Sequence, residues 1–183
     1  MSYTFPKSFQ LKNGETIIIR EPQAADAERI VAFIKAVGDE SKFLTFAGED
    51  FKTTPEEERK ILKDHHEASN QLYIIAELDG EIVGQLNVIA NQKPRMKHQG
   101  EFGISVRKAH WGKGIANCIM HSMVDWAKST QIIRKINLLA RADNKKAIRM
   151  YEKFGFEHEG INRRDLFIDG QFYDAVYMGL LID

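Results

Sequence analysis

Residues 110–117 read HWGKGIAN and set Gly112 and Gly114 one residue apart, where an apolar helical pattern begins. Glycine costs conformational entropy, so it is expected where a Cβ is not allowed: in a turn too tight for one, or where something must approach the backbone closely. This loop stands between a strand pattern at 100–106 and a helix pattern at 114–129. Main-chain N–H groups at a helix start have no partner inside the helix, and the helix dipole strengthens their pull on anions. The chemistry offered is the gripping of a phosphate over Gly112 to Ala116. Two familiar phosphate loops do not fit. A Walker loop requires Gly, four residues, then Gly-Lys-Ser/Thr, but here Lys113 is followed by Gly114 and position 107 is not glycine. A dinucleotide fingerprint requires a third small residue and a later acid, but Asn117 holds the first place and no acid lies near position 136. On the glycines alone, a ligand-free strand-to-helix turn stays open beside the phosphate site.

Two longer stretches carry a resemblance. VRKAHWGKGIAN (106–117) resembles the acyl-CoA pyrophosphate loop of the GNAT superfamily of N-acetyltransferases, whose pattern is Arg/Gln-x-x-Gly-x-Gly/Ala. Trp111 occupies the Arg/Gln position, a departure from the strict consensus, and Gly114 and Ala116 fill the small ones. About thirty residues on, NKKAIRMYEKFGFE (144–157) is similar to the family's Asn-x-x-Ala-x-x-x-Tyr-x-x-x-Gly-Phe segment at Asn144, Ala147, Tyr151, Gly155 and Phe156. The resemblance implies acetyl-CoA as cofactor, its pyrophosphate cradled by the backbone at Gly112, Lys113, Gly114, Ile115 and Ala116, with Trp111, Asn144 and Ala147 at the same site. It also implies that the strand holding Ile104, Ser105 and Val106 splays from its parallel neighbour, and that the backbone of Ile104 and Val106 pairs with the pantetheine amides. Tyr151 is then the group beside the sulfur, a phenol near pKa ~10 able to share a proton with a thiol near ~8.5. On spacing alone, Tyr151 is a core tyrosine on an apolar helix stripe, and Asn144 is a helix cap.

Acetyl transfer needs a neutral amine. A lysine-like amine near pKa ~10.4 loses its proton at a cost of about 4 kcal/mol at neutral pH, an α-amine near ~7.7 at under about 1. By resemblance, Glu101 is the candidate base, against the plainer reading of a solvated strand-edge glutamate; His110 is a weaker candidate. The resemblance also builds the acceptor pocket from residues 33–51 and 160–175. There Phe43, Phe46, Phe51, Phe167, Phe172 and Tyr173 offer apolar area, and Glu40, Asp50, Asp165 and Asp174 carboxylates for an ammonium. KPRMKHQGEFGISV and FIDGQFYDAVYM look like bacterial members acting on free amino acids or other small amines. A protein N-terminus or a polyamine as acceptor, and a non-catalytic acyl-CoA sensing module, remain as alternatives. Cys118 reads as a packing residue rather than an acyl carrier. His65 and His66 point apart on a helix and read as a solvated face, so no metal site is expected.

The elements that must position these residues follow from periodicity. ETIIIRE (15–21) is a strand; 24–37 and 53–68 are helices, the second opened by Thr54 and Pro55. Apolar runs flank Asp79-Gly80 and Asp169-Gly170, each pair a hairpin signal. A strand at 135–140 and a helix at 143–155 complete the order. Strand–helix–strand in the middle requires one parallel pair, and the hairpins make the rest antiparallel. The expected fold is α/β (α+β): one domain over 1–183, with a mixed, mostly antiparallel sheet of six or seven strands flanked by four helices. Lys plus Arg equals Asp plus Glu at 26 each among 183 residues, which argues against a dedicated nucleic-acid binder. No apolar run is long enough to span a bilayer. A single cysteine cannot form an internal disulfide, which fits a reducing, cytoplasmic setting. The expected partner is a small-molecule amine, and a homodimer stays open.

Overall fold

A computed structural model describes residues 3–183. β-Branched runs punctuated by turn residues form eight strands: β1 (Lys7–Gln10), β2 (Thr16–Arg20), β3 (Leu72–Leu78), β4 (Glu81–Ala90), β5 (Gln99–Val106), β6 (Lys135–Arg141), β7 (Glu157–Ile168) and β8 (Gln171–Leu181). The helices are α1 (Ala27–Glu40), α2 (Pro55–Glu67), α3 (Ile115–Thr130) and α4 (Lys145–Lys153). All strands join one sheet in the order β1-β2-β3-β4-β5-β6-β8-β7, antiparallel throughout except for β5 beside β6. The expected mixed sheet with four helices is borne out, one strand larger than read from the sequence. The addition is β1, a four-residue strand paired to β2 across the Asn13-Gly14 turn.

Each face of the sheet is packed by one helix pair. Ile115, Ile119, Met120 and Met123 of α3 and Ile148 and Tyr151 of α4 are buried against Leu86, Val88, Phe102, Ile136 and Leu138. On the opposite face, Ile30, Phe33 and Ile34 of α1 and Leu62 of α2 cover Tyr73, Ile75 and Ile82. That cover reaches only part of the sheet. Further along the same face, Ile89, Glu101, Gly103 and Tyr177 are exposed, and this uncovered area adjoins the candidate site.

α2 begins as its residues require: Thr54 Oγ1 accepts from the Glu57 N–H (3.2 Å) and the Glu57 carboxylate accepts from the Thr54 N–H (2.8 Å). Its inner face is less ordinary. His65 is buried rather than solvated as expected, its Nδ1 2.9 Å from the Ile61 carbonyl and its ring edge-on to Tyr73. Glu58 is 2% exposed, and its Oε1 has no hydrogen-bond partner among the described residues. Burial pushes the Glu58 carboxyl above the usual carboxylate range, only partly offset by its contact with Tyr73. A carboxyl raised on folding stabilises the native state fully below its unfolded pKa and loses that contribution as the pH climbs through the folded one. Glu58→Gln is therefore expected to flatten the decline in Tm between pH 5 and pH 8. At pH 8 it should leave the variant roughly 2–4 °C above the parent, the shift that about 1 kcal/mol makes in a chain of this size. Thermal melts across that range check it; parallel curves for the two proteins would show that Glu58 ionises as freely as a surface acid.

Candidate active site

The parallel pair is joined only at its base. β5 and β6 are in register at Gln99↔Lys135, Gly100↔Ile136 and Glu101↔Asn137, and their pairing ends there. Beyond that vertex β5 keeps its full ladder with β4 as far as Val106, and β6 keeps its own with β8 as far as Arg141. One edge of each strand is thus left open, forming a wedge-shaped split.

The main chain of β5 turns alternately to β4 and to the split. The Arg107 N–H donates to the Val83 carbonyl (2.9 Å) on the β4 side. Counting back by twos, Ser105 and Gly103 face β4 as well, while Ile104 and Val106 direct their N–H and C=O into the split. That is the disposition expected of Ile104 and Val106. Ser105 differs from expectation: its main chain is committed to β4, and its side chain lies on the α1/α2 face. The Val106 carbonyl already accepts from Trp111 Nε1 at 2.7 Å, so the half-exposed indole closes the upper end of the open edge.

Above the split lies the glycine loop. Gly112 (φ +82°) and Gly114 (φ +94°) both occupy the left-handed region, and a Cβ built on either would meet nothing within 4 Å. The turn thus needs glycine, and the space over it is open. Gly114 is the N-cap of α3 and supplies no side-chain cap. Among the described residues, the main-chain N–H groups from Gly112 to Asn117 find no acceptor; the first to do so is Cys118, bonded to the Gly114 carbonyl at 3.2 Å. Unpaired donors, an open cradle and a helix N-terminus fit a diphosphate. Lys113 is held aside, its Nζ 3.0 Å from Glu15 in the β1–β2 turn. Ile115 is fully buried and Ala116 half-buried, so what they offer is backbone.

Tyr151 lies on the α3/α4 face. It is 8% exposed and packed edge-on to Phe102 and Phe156, and its hydroxyl has no hydrogen-bond partner among the described residues. Burial alone pushes the phenol up to about 12. The sequence-based expectation of closely matched phenol and thiol values therefore does not hold. Asn144 caps α4, accepting from the Ala147 N–H at 3.3 Å, and Ala147 packs on the core. Burial pushes the Cys118 thiol up, which suits a packing residue and not a thiolate nucleophile. His110 stands near Glu15 rather than at the vertex.

Glu101 and Tyr151 are on opposite faces of the sheet, because Glu101 alternates with Phe102, the residue that touches Tyr151. The split is the passage between them. Glu101 sits at its vertex, exposed, beside Ile89 on one strand and Asn137 on the other. The four other expected amine-binding acids are already engaged. Glu40 accepts from Arg107 Nε (2.9 Å) and the Lys108 N–H (2.7 Å). Asp50 accepts from the Ala47 N–H, Asp165 from Asn162, and Asp174 from the Arg164 N–H. Of the aromatics, Phe46 and Phe51 pack on the α1/α2 core, and Phe167 and Phe172 stack on each other at the exposed hairpin end. Phe43 and Tyr173 converge on Arg141, a residue the sequence reading missed. Its signal is a charged residue closing an apolar strand, two before Asp143.

A mixed sheet with one splayed parallel pair, and a glycine-bearing helix entrance over its open end, is the arrangement the acyl-CoA transferase resemblance implied. The chain belongs to the acetyltransferase (GNAT) family, whose model matches residues 38–156, and the expected class, an acetyl-CoA-dependent N-acetyltransferase, is borne out. It is 34% identical over 105 residues to the L-amino acid N-acetyltransferase AaaT of Escherichia coli, a match spanning 57% of this chain and 65% of that relative. It is 26% identical over 133 residues to the spermidine N(1)-acetyltransferase of Vibrio cholerae, covering 73% of this chain and 76% of that one. Among solved structures, an acetyltransferase of the GNAT family from Streptococcus pneumoniae superposes with a TM-score of 0.89 at 32% identity, over 91% of this chain and 99% of the other. No described helix is long and apolar enough to cross a membrane.

Proposed function

We propose that this chain, acting as one domain, transfers the acetyl group of acetyl-CoA to the primary amine of a small molecule, an amino acid by preference, through direct attack in a ternary complex. When bound, acetyl-CoA supplies the thioester that the amine attacks. The chain's residues supply the rest. The N–H groups of Gly112 to Ala116 hold the diphosphate, and Ile104 and Val106 offer main-chain groups along the split. Tyr151 keeps its proton and donates a hydrogen bond where negative charge develops on sulfur. Glu101, directly or through a water, takes the proton of the incoming ammonium.

The observation that carries this reading is the single unengaged carboxylate at the vertex of the split. One acid suits one ammonium. A polyamine carries several, and the acids that might have met them are bonded within the protein. The similarity to AaaT supports the same choice over the similarity to a spermidine enzyme. A sensing module would need the glycine cradle but neither Glu101 nor Tyr151. Acetyl-CoA incubated with free amino acids, small amines, spermidine and short peptides, followed by thiol release, tests the proposal. Release with amino acids supports it, and silence across the panel despite tight acetyl-CoA binding overturns it.

Glu101→Gln is expected to lower kcat/KM about 10²-fold at pH 7, within the range for loss of a general base. The deficit should narrow as the pH rises towards 9.5 and a growing fraction of the acceptor's own amine is neutral unaided. A deficit constant from pH 6 to pH 9.5 would assign Glu101 to binding and not to proton removal.

A further inference from the structure

Residues 40–43 cross the upper part of the split on the α1/α2 face and are tied down on both sides. On the β5 side, Glu40 at the end of α1 accepts from Arg107 Nε and the Lys108 N–H. On the β6 side, Arg141 Nη1 donates to the Lys42 carbonyl at 2.6 Å. The Arg141 guanidinium lies over two rings, 4.4 Å from the Phe43 centroid and 4.1 Å from that of Tyr173. Asp143 holds its remaining edge through Nε (2.7 Å) and Nη2 (3.0 Å). Arg141 is 8% exposed, although it is charged and ends a strand. A guanidinium buried to this degree, set against two aromatic rings and bonded along its edge, fixes what it touches. What it touches is the segment carrying Phe43. That ring keeps 39% of its surface exposed, with Tyr177 (42%) and Ile89 (57%) exposed on the same side of the sheet. Polar anchors among apolar walls are the usual make-up of a small-molecule site.

We infer that Arg141 is a positioning residue for the acceptor. By clamping residues 40–43 across the split it holds Phe43 as a wall of the acceptor face, so the preferred acceptors are primary amines bearing an apolar side chain. The ammonium sits towards Glu101 and the apolar group against Phe43 and Tyr177. This rests on the acetyl-transfer reading.

The test compares glycine, leucine and phenylalanine as acceptors for the full-length chain, for Phe43→Ala and for Arg141→Lys, which keeps the charge but loses the planar stack. The parent is expected to use leucine and phenylalanine with a KM at least roughly 10-fold below that for glycine, the scale on which pockets discriminate apolar groups. Both variants should raise the leucine and phenylalanine KM roughly 5–10-fold, while kcat, the glycine KM and the acetyl-CoA KM move less than about 2-fold. Amide hydrogen exchange of residues 41–47, measured without any substrate, should quicken in Arg141→Lys. Equal losses for glycine and leucine would reduce Arg141 to a merely structural part, and unchanged exchange would remove the clamp itself. If the parent acetylates none of the three, the acceptor assignment falls while the wider amine panel decides the acetyl-transfer reading, and hydrogen exchange still decides the clamp separately. If it acetylates all three alike, only the inference falls.

Discussion

Tyr151→Phe is expected to lower kcat by roughly 10²–10³-fold, the scale of a lost general acid or of a donor to developing charge, while the acetyl-CoA Kd changes less than about 3-fold. The separation follows from where each part of the side chain sits. The ring packs on Phe102 and Phe156, and phenylalanine fills the same volume. The hydroxyl has no hydrogen-bond partner among the described residues, so its removal orphans none of their polar groups, and Tm should move by no more than about 1–2 °C. Direct titration of acetyl-CoA beside steady-state rates makes the measurement. A parallel loss of affinity and rate would instead describe a tyrosine that shapes the split.

The pH dependence refines the role. Burial raises the phenol to about 12, so the group is protonated throughout pH 6–9, and the deficit of Tyr151→Phe should be constant across that range. Full proton transfer from a phenol at about 12 to a thiolate whose thiol has a pKa near ~8.5 is uphill by about 5 kcal/mol. In the proposed reaction Tyr151 would therefore serve as a hydrogen-bond donor and not as an acid that gives its proton away. A deficit that shrank as the pH rose to 9 would mean a phenol ionising far below its buried value.

Features written in neighbouring residues were legible in the sequence. Asp79-Gly80 marked the β3–β4 turn, and both residues have positive φ. Thr54 and Pro55 announced the start of α2, Asn144 the cap of α4, and the two glycines an entrance with free N–H groups. β1 was missed because KSFQ is short and only weakly alternating, its partner strand supplying most of its stability. The site was legible in its parts but not in its assembly. Period two puts Glu101 and Phe102 on opposite faces, yet nothing local says which helix pair covers which face. Nor could the sequence sort the candidate acids. Glu40 meets Arg107 across 67 residues, and Arg141 meets Lys42 across 99; such pairings exist only once the sheet has formed.

Gly114→Ala is expected to weaken acetyl-CoA binding at least about 10-fold, and it is the substitution that separates the two readings of the glycine loop. At φ +94° an L residue is strained by about 1–2 kcal/mol, so Tm should fall by roughly 3–6 °C. That loss alone would say only that the turn needs glycine. Gly170, φ +77° in the β7–β8 turn, provides the comparison, since a Cβ there also meets nothing within 4 Å. Gly170→Ala should cost similar stability and leave acetyl-CoA affinity untouched. At Gly114 the added methyl enters the open cradle over the α3 N-terminus, where it meets no protein atom and can clash only with a ligand. Calorimetric titration of both variants decides the matter. If both lose a few degrees and both keep full affinity, Gly112 and Gly114 are there only for the turn, and the diphosphate must be held elsewhere.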